Sequence, residues 1–319
     1  MVIPSGPRIS YPATSLIDMM ANPFLQNAAV LAYPEYIPQA QALAVQLGLP
    51  HHRVSVHKFP DGESRVALPS LAAENIILCR SLNQPNDKLV ELMLTCATAR
   101  GMGVQRILLV APYLCYMRQD IAFHPGEAIS QQIIGRFLSE QVDGVITVDP
   151  HLHRIQHLQE AIPGPASVAI NSAPALAGFL QSLQQNALLV GPDEESEQWV
   201  ANIAEQTGLD FIVASKERHG DRDVRIALPE HDYHQRDIIL VDDIASTGRT
   251  LAECASLLKQ NGAASIQVLV THALFCEDAY EYLQQAGVDR IWSTDSIHHI
   301  TNRIALAPLL ANSIRQLEI

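Results

Sequence analysis

Asp242 and Asp243 close the branched-aliphatic run Ile238, Ile239, Leu240, Val241, and Ser246, Thr247, Gly248, Arg249 and Thr250 follow almost at once. An apolar run without alternation suits a parallel strand buried on both faces. From Leu251 to Leu258 the spacing turns helical. The small polar loop therefore opens a helix, and the two acids lie at the carboxyl end of a strand, where open α/β sheets bind ligands. Successive backbone N–H groups, hydroxyls and a glycine beside the positive end of a helix dipole suit a monoester phosphate. The carboxylates upstream can accept hydrogen bonds from vicinal hydroxyls or reach a metal-bound water. A sugar phosphate satisfies both ends. A helix N-cap would need only Ser246 or Thr247 and would leave the paired acids without a purpose.

Other stretches also carry chemistry. In HKFPDGESRV, 57 to 66, Phe59 suits stacking on a purine, and Asp61 and Glu63 could accept from its exocyclic amine. A plain hairpin turn on Asp61 and Gly62 explains the glycine but not the phenylalanine. In APYLCYMRQD, 111 to 120, Arg118 offers a permanently charged planar fork to phosphate, with Gln119 and Asp120 beside it; a solvated loop is the other reading. His151 and His153, in ITVDPHLHRIQH, form the H-x-H spacing of an amidohydrolase-type metal site. Too few residues follow for an eight-stranded barrel of about 250 residues, and no further His and Asp set stands at strand ends downstream. Asp193, in GPDEESEQ, follows a strand, and Lys216 and Arg218 open SKERHGDRDVRI, which composition alone reads as a charged surface turn.

The elements that must position these groups alternate along the chain. RVSVHKF (53 to 59) and SRVALPS (64 to 70) bracket a turn at PDGE; NIILC (75 to 79) and RILLVAP (106 to 112) are buried strands around a helix near 86 to 103; GVITVDP (144 to 150) closes the first set. After Pro163, Gly164 and Pro165 the alternation restarts, with a helix near 172 to 185, ALLVGPD (187 to 193), a helix to about 207, the strand at 238 to 242 and SIQVLVTHAL (265 to 274). Such alternation predicts parallel sheets with helices on both faces, and 319 residues at 48% hydrophobic content allow two such domains. The expected boundaries are an extension over 1–26, domains over 27–165 and 166–305, and a C-terminal helix within 306–319 that could pack on either domain, the N-terminal one included.

A net charge of −13 argues against a nucleic-acid surface, which needs clustered cations. Phosphates would have to be met by a few local cations or a divalent metal. No apolar run approaches the roughly 20 residues of a membrane span, and the opening residues lack the basic start and compact apolar core of a secretory signal, so the cytoplasm is the expected address. Cys79, Cys96, Cys115, Cys254 and Cys276 form no CxxC pair and are expected to be reduced core residues.

The acid pair with its Thr-Gly-x-Thr loop resembles the phosphoribosyl diphosphate signature of the type I phosphoribosyltransferase fold, which transferases share with ribose-phosphate diphosphokinases. Phe-x-Asp-Gly-Glu at 59 to 63, Pro-Tyr-x-x-Tyr-x-Arg-Gln-Asp at 112 to 120, Asp-x-His at 149 to 151 with Gln156, Pro-Asp at 192 and 193, and Lys-x-Arg at 216 to 218 are similar to the diphosphokinase family, in that order, over roughly 28 to 317. The resemblance implies two tandem phosphoribosyltransferase-like three-layer α/β domains with mainly parallel central sheets. It implies ATP contacts at Phe59, Asp61, Glu63, Arg118, Gln119 and Asp120, and ribose 5-phosphate contacts at Asp242, Asp243, Ser246, Thr247, Gly248, Arg249 and Thr250. Mg2+ would be held at His151 and Asp193. Lys216 and Arg218 would be the transition-state cations, with Asp243 helping to deprotonate the nucleophile. The implied reaction gives 5-phosphoribosyl 1-diphosphate and AMP. Because ATP sites in the family lie near subunit contacts, a homo-oligomer, dimer or larger, is expected.

The chain departs from the family at Glu195 and Ser196, where glycines are usual, and at Arg249 within the phosphate loop. IAFHPGEAIS, 121 to 130, lacks the basic stretch of the common bacterial and animal enzymes and is more similar to the archaeal-type branch. Two alternatives stand beside the kinase. A phosphoribosyltransferase would need no ATP-side segments at 59 to 63 and 118 to 120. A non-catalytic regulatory homologue would be expected to lack His151, Lys216 or Arg218, all of which are present.

Overall fold

Runs such as Asn75–Cys79 and Gly144–Val148 are buried along their whole length, because strands pair on both of their edges and helices cover both of their faces. The computed structural model describes residues 22–152, 154–184, 186–218 and 224–319. In the first domain β1 (Ala28–Ala32), α1 (Ile37–Leu47), β2 (His51–Arg53), the hairpin β3 (Ser55–Lys58) and β4 (Ser64–Ala67), β5 (Asn75–Cys79), α2 (Pro85–Gly101), β6 (Arg106–Val110), α3 (Ser130–Gln141), β7 (Gly144–Val148), α4 (Leu158–Ala161) and β8 (Ala166–Ile170) follow in turn. Its parallel sheet has the order β2-β1-β5-β6-β7-β8. The second domain runs α5 (Ala173–Leu183), β9 (Leu188–Gly191), α6 (Glu197–Thr207), β10 (Phe211–Val213), the hairpin β11 (Ser215–Arg218) and β12 (Val224–Ala227), β13 (Asp237–Ala245), α7 (Arg249–Gln260), β14 (Ser265–Ala273), α8 (Ala279–Gln285), β15 (Arg290–Thr294) and β16 (Asn302–Ile304). Its parallel sheet repeats the plan as β10-β9-β13-β14-β15-β16.

Alternate side chains of each strand feed opposite cores. Ile76 and Leu78 join one cluster of the first domain, Ile77 and Cys79 the other. A last helix, α9 (Ala307–Gln316), lays Leu310, Ala311 and Ile314 into the second of these clusters, beside Leu43 and Leu47 of α1. Among the described residues no helix is long and apolar enough to cross a membrane.

Three expectations need correction. β8 pairs with β7 from Gly144↔Ala166 to Val148↔Ile170, so the first domain runs to Ile170 and Pro163-Gly164-Pro165 is only the loop before its last strand. Residues 22 to 26 are no loose arm. Phe24 and Leu25 are core residues, and Asn22 donates to the carbonyls of Ile314 and Leu317 at 2.9 Å each; residues 1–21 lie outside the described residues. Cys79, Cys96, Cys115 and Cys254 are buried as expected, but Cys276 is exposed because it lies in the loop beyond β14.

Close packing of α3 onto the end of α4 gives a stability test. A Cβ on Gly135 would lie 1.8 Å from the carbonyl oxygen of Ala161, whereas one on Gly178, inside α5, meets nothing within 4 Å. Gly135→Ala is expected to lower the unfolding free energy by about 2 kcal/mol and Gly178→Ala to raise it by about 0.5 to 1 kcal/mol. Paired urea titrations check both signs.

Candidate active site

β13 runs on to Ala245 rather than stopping at the acids, because Ile244 and Ala245 still pair with His272 and Ala273 of β14. Asp242 and Asp243 therefore stand on the strand itself, three to four residues ahead of the loop. The loop turns at Gly248, in the left-handed region at φ 68°, and a Cβ there would sit 3.3 Å from both the Ala279 carbonyl and the Leu283 side chain. α7 starts at Arg249, so the loop does open a helix.

A cleft of about 270 Å³ forms around this turn. Asp242, Asp243, Ser246, Thr247, Gly248, Arg249, Thr250, Asp193, Lys216, His151 and Arg118 all line it. The last two come from the first domain. His151 arrives by a turn at Asp149, φ 36°, whose carboxylate accepts from Ser172 N and from Thr271 Oγ1. Burial pushes the Asp149 carboxyl up to about 6. Across the domain boundary, Nδ1 of His151 lies 2.7 Å from Oδ2 of Asp243, which is 2% exposed.

Charge is concentrated on one wall. Asp193 caps the short 3-10 turn Glu194–Ser196 by accepting from Ser196 N at 3.2 Å, and its other oxygen pairs with Nζ of Lys216. Burial acts to lower the Lys216 ammonium, but the bond to Asp193 and the charges of Glu195 and Asp242 outweigh it and hold it raised. Asp242 is pushed well above the ordinary carboxylate range, first by burial and then by the charges of Asp243 and Asp193. The departures at 195 and 196 and the Glu194 before them have a definite geometry: Ser196 packs on Gly191, Glu194 accepts from the backbone N of Lys216 at 3.1 Å, and Glu195 lines the cleft.

An adjoining recess of about 230 Å³ shares Arg118, His151, Asp243 and Ile244 and adds Tyr113, Tyr116, Met117, Gln119, Asp149 and His272. Burial lowers His272 to about 4, so its imidazole is neutral at pH 7; Nε2 lies 3.0 Å from the Val148 carbonyl. Glu195, Tyr113, Tyr116 and His272 had no reading as site residues in the sequence. For His272 no signal existed, since it sits inside an apolar strand.

Several expected ATP contacts lie elsewhere. Phe59, Asp61 and Glu63 form the exposed tip of the β3–β4 hairpin and line neither space. Gln119 accepts from Ser130 Oγ at 2.8 Å. Asp120 is buried and pairs with Arg154 at 2.6 Å, outside both spaces. Arg218 ends β11, and its side chain lies outside the described residues, as does His153.

Among the described residues no three His, Cys, Asp or Glu side chains are gathered as a metal cage. Mg2+ needs no such cage, because it keeps several waters and binds through one or two protein groups plus substrate phosphates. His151 and Asp193, lining one cleft with the Ser246–Thr250 loop, fit that demand.

Residues 29–141 match the family model of the N-terminal domain of ribose phosphate pyrophosphokinase, and residues 169–300 that of the phosphoribosyl transferase domain. The ribose-phosphate pyrophosphokinase of Methanopyrus kandleri is 30% identical over 289 residues, covering 90% of this chain and 99% of that one. That of Sulfolobus acidocaldarius is 30% identical over 269 residues, covering 82% and 90%. The crystal structure of phosphoribosylpyrophosphate synthetase from Mycobacterium smegmatis superposes with a TM-score of 0.76 at 22% identity, covering 91% of this chain and 98% of that one, a likeness of fold.

Proposed function

The chain belongs to the ribose-phosphate pyrophosphokinase family, and from that premise we propose that it transfers the β,γ-diphosphoryl group of ATP to the C1 hydroxyl of ribose 5-phosphate, giving 5-phosphoribosyl 1-diphosphate and AMP. The observation that carries this reading is the single cleft in which an anion loop, two strand acids and a cation–carboxylate pair meet. In it, Ser246 to Thr250 hold the 5-phosphate and Asp242 and Asp243 take the ribose hydroxyls. The anomeric oxygen then faces the wall built from Asp193 and Lys216, where the phosphates of ATP compete with Asp193 for the ammonium. Arg118 and Arg218 add charge toward the nucleotide. Positioning and charge stabilisation account for most of the rate of such a transfer. Mg2+, held with ATP near His151 and Asp193, would neutralise charge on the phosphate oxygens. Asp243 is the group placed to take the proton of the attacking hydroxyl. We assign the activity to the cytoplasm, where reduced cysteines persist.

The hairpin tip with Phe59, Asp61 and Glu63 stands apart from this cleft in its own chain. On this reading it serves ATP at a contact between copies, and light scattering is expected to find a dimer or larger; a fully active monomer would refute that. Phosphorus NMR with Mg2+, ATP and ribose 5-phosphate tests the reaction. AMP and an anomeric diphosphate should appear together and only with the sugar phosphate. Binding of the sugar phosphate without turnover would favour a regulatory homologue or a transferase.

A further inference from the structure

The repeat of one plan in two domains places a second cleft, of about 420 Å³, in the first domain. Its lining corresponds element by element to that of the site above. Glu35 follows β1 as Asp193 follows β9; Lys58 lies on β3 as Lys216 lies on β11; Arg80 and Ser81 follow β5, the counterpart of β13. The cross-domain visitor is repeated as well, with His298 beyond β15 entering here as His151 beyond β7 enters there. Yet the cations of this cleft are already engaged. Lys58 Nζ is 2.6 Å from Asp87 and 2.9 Å from Glu91. Arg80 is 2.8 Å from Glu35 and 2.5 Å from Glu91, and its guanidinium lies 3.8 Å above the Tyr33 ring. Lys88 donates to the Ser81 carbonyl at 2.7 Å and to Asn83 Oδ1 at 2.8 Å.

What this network holds is the β3–β4 hairpin. We infer that Glu91 of α2 is a positioning residue for ATP, pinning the base of the tip that carries Phe59, Asp61 and Glu63; the inference rests on the ATP role proposed for that tip. Lys58 and Ser64 are the last cross-strand pair before the tip, and one oxygen of Glu91 meets both, 2.9 Å from Lys58 Nζ and 2.8 Å from Ser64 Oγ. Its other oxygen takes Arg80. Above this pair the tip is bonded to itself, Phe59 N to the Glu63 carbonyl at 2.8 Å and Gly62 N to the Phe59 carbonyl at 3.0 Å, so it moves as one piece with its base. β3 and β4 pair only with each other, and an isolated two-stranded hairpin is marginal in water. Val56 and Val66 rest on the core and Lys58 also pairs with Asp87, but among the described residues Glu91 is the side chain that bonds both strands near the tip. Burial alone would raise the Glu91 carboxyl, but hydrogen bonds from Lys58, Arg80 and Ser64 outweigh it and keep it below its ordinary value. At 1% exposure Glu91 offers almost no surface to a nucleotide, so an effect of its replacement on ATP is expected to pass through the groups it bonds, the hairpin foremost.

The test compares the full-length wild type with Glu91→Gln and Ser64→Ala by steady-state kinetics in each substrate and by hydrogen exchange of the amides of residues 59 and 61 to 63. The KM for ATP is expected to rise about tenfold in Glu91→Gln, the scale of losing charge-assisted hydrogen bonds, and by less in Ser64→Ala. KM for ribose 5-phosphate and kcat at saturating ATP should stay at wild-type values, and the tip amides should exchange faster. Ser64→Ala leaves Glu91 paired with Arg80 and so keeps its fold even where Glu91→Gln does not. An unchanged KM for ATP in the folded variants, or a parallel rise for both substrates, overturns the inference. A wild type that makes no anomeric diphosphate would instead remove the proposed reaction, and exchange at 59 to 63 would then decide the pinning alone.

Discussion

Lys216→Ala is expected to lower turnover at least a hundredfold while leaving the unfolding midpoint close to that of the wild type. The ammonium sits on β11 at the mouth of the cleft, paired with Asp193 and held protonated by Asp193, Glu195 and Asp242 against the opposing pull of burial. A positive charge fixed before the substrates arrive needs no reorganisation when charge develops on the transferred group. Removing one preorganised partner of this kind costs about 3 to 4 kcal/mol of barrier. Little effect on folding is expected, because Asp193 keeps its bond from Ser196 N and Lys216 belongs to neither apolar cluster of the second domain. Single-turnover kinetics beside thermal denaturation separate the two effects. Near wild-type turnover would remove Lys216 from the mechanism.

The readable parts of the molecule were those fixed by local pattern. NIILC became β5 residue for residue, and the step from IILV to a helical spacing marked the loop that opens α7, because burial on both sheet faces leaves a continuous apolar run whatever the rest of the fold does. Parallel pairing is different. Ala166–Ile170 belongs to the first sheet only because β7 lies beside it, and the Pro-Gly-Pro before it looks the same whether it ends a domain or a loop. Long-range polar pairs were equally illegible. Glu91 stands within PNDKLVELML, where an acid reads as a solvated helix face; it is buried because Arg80 and Lys58 converge on it from other elements. Cys276 erred in the opposite sense, the burial habit of free cysteine suggesting a core that the turn after β14 leaves behind. The tip at Phe59 to Glu63 was recognisable by residue type, yet its distance from the cleft could come only from the fold.

Asp243→Asn should raise the half-saturating Mg2+ concentration by about 10- to 100-fold, the usual cost of altering a partner that orients a metal-binding histidine, and lower turnover at saturating Mg2+ about a hundredfold. A carboxylate 2.7 Å from Nδ1 of His151 favours the tautomer with the hydrogen on that nitrogen, which leaves the lone pair on Nε2. An amide can present its NH2 instead, and the tautomer then reverses, placing a hydrogen on Nε2. The same substitution removes a charge beside Asp242. Burial and the charges of Asp243 and Asp193 push Asp242 above the ordinary carboxylate range; without the Asp243 charge it ionises at lower pH. The variant keeps the Asp242 side chain for the ribose hydroxyls but has lost the group placed for the proton. Sugar-phosphate binding, measured calorimetrically without ATP, should consequently weaken less than turnover does. An unchanged Mg2+ requirement would separate Asp243 from His151 and leave it a ribose contact alone. Equal losses in binding and turnover would remove its role in proton transfer.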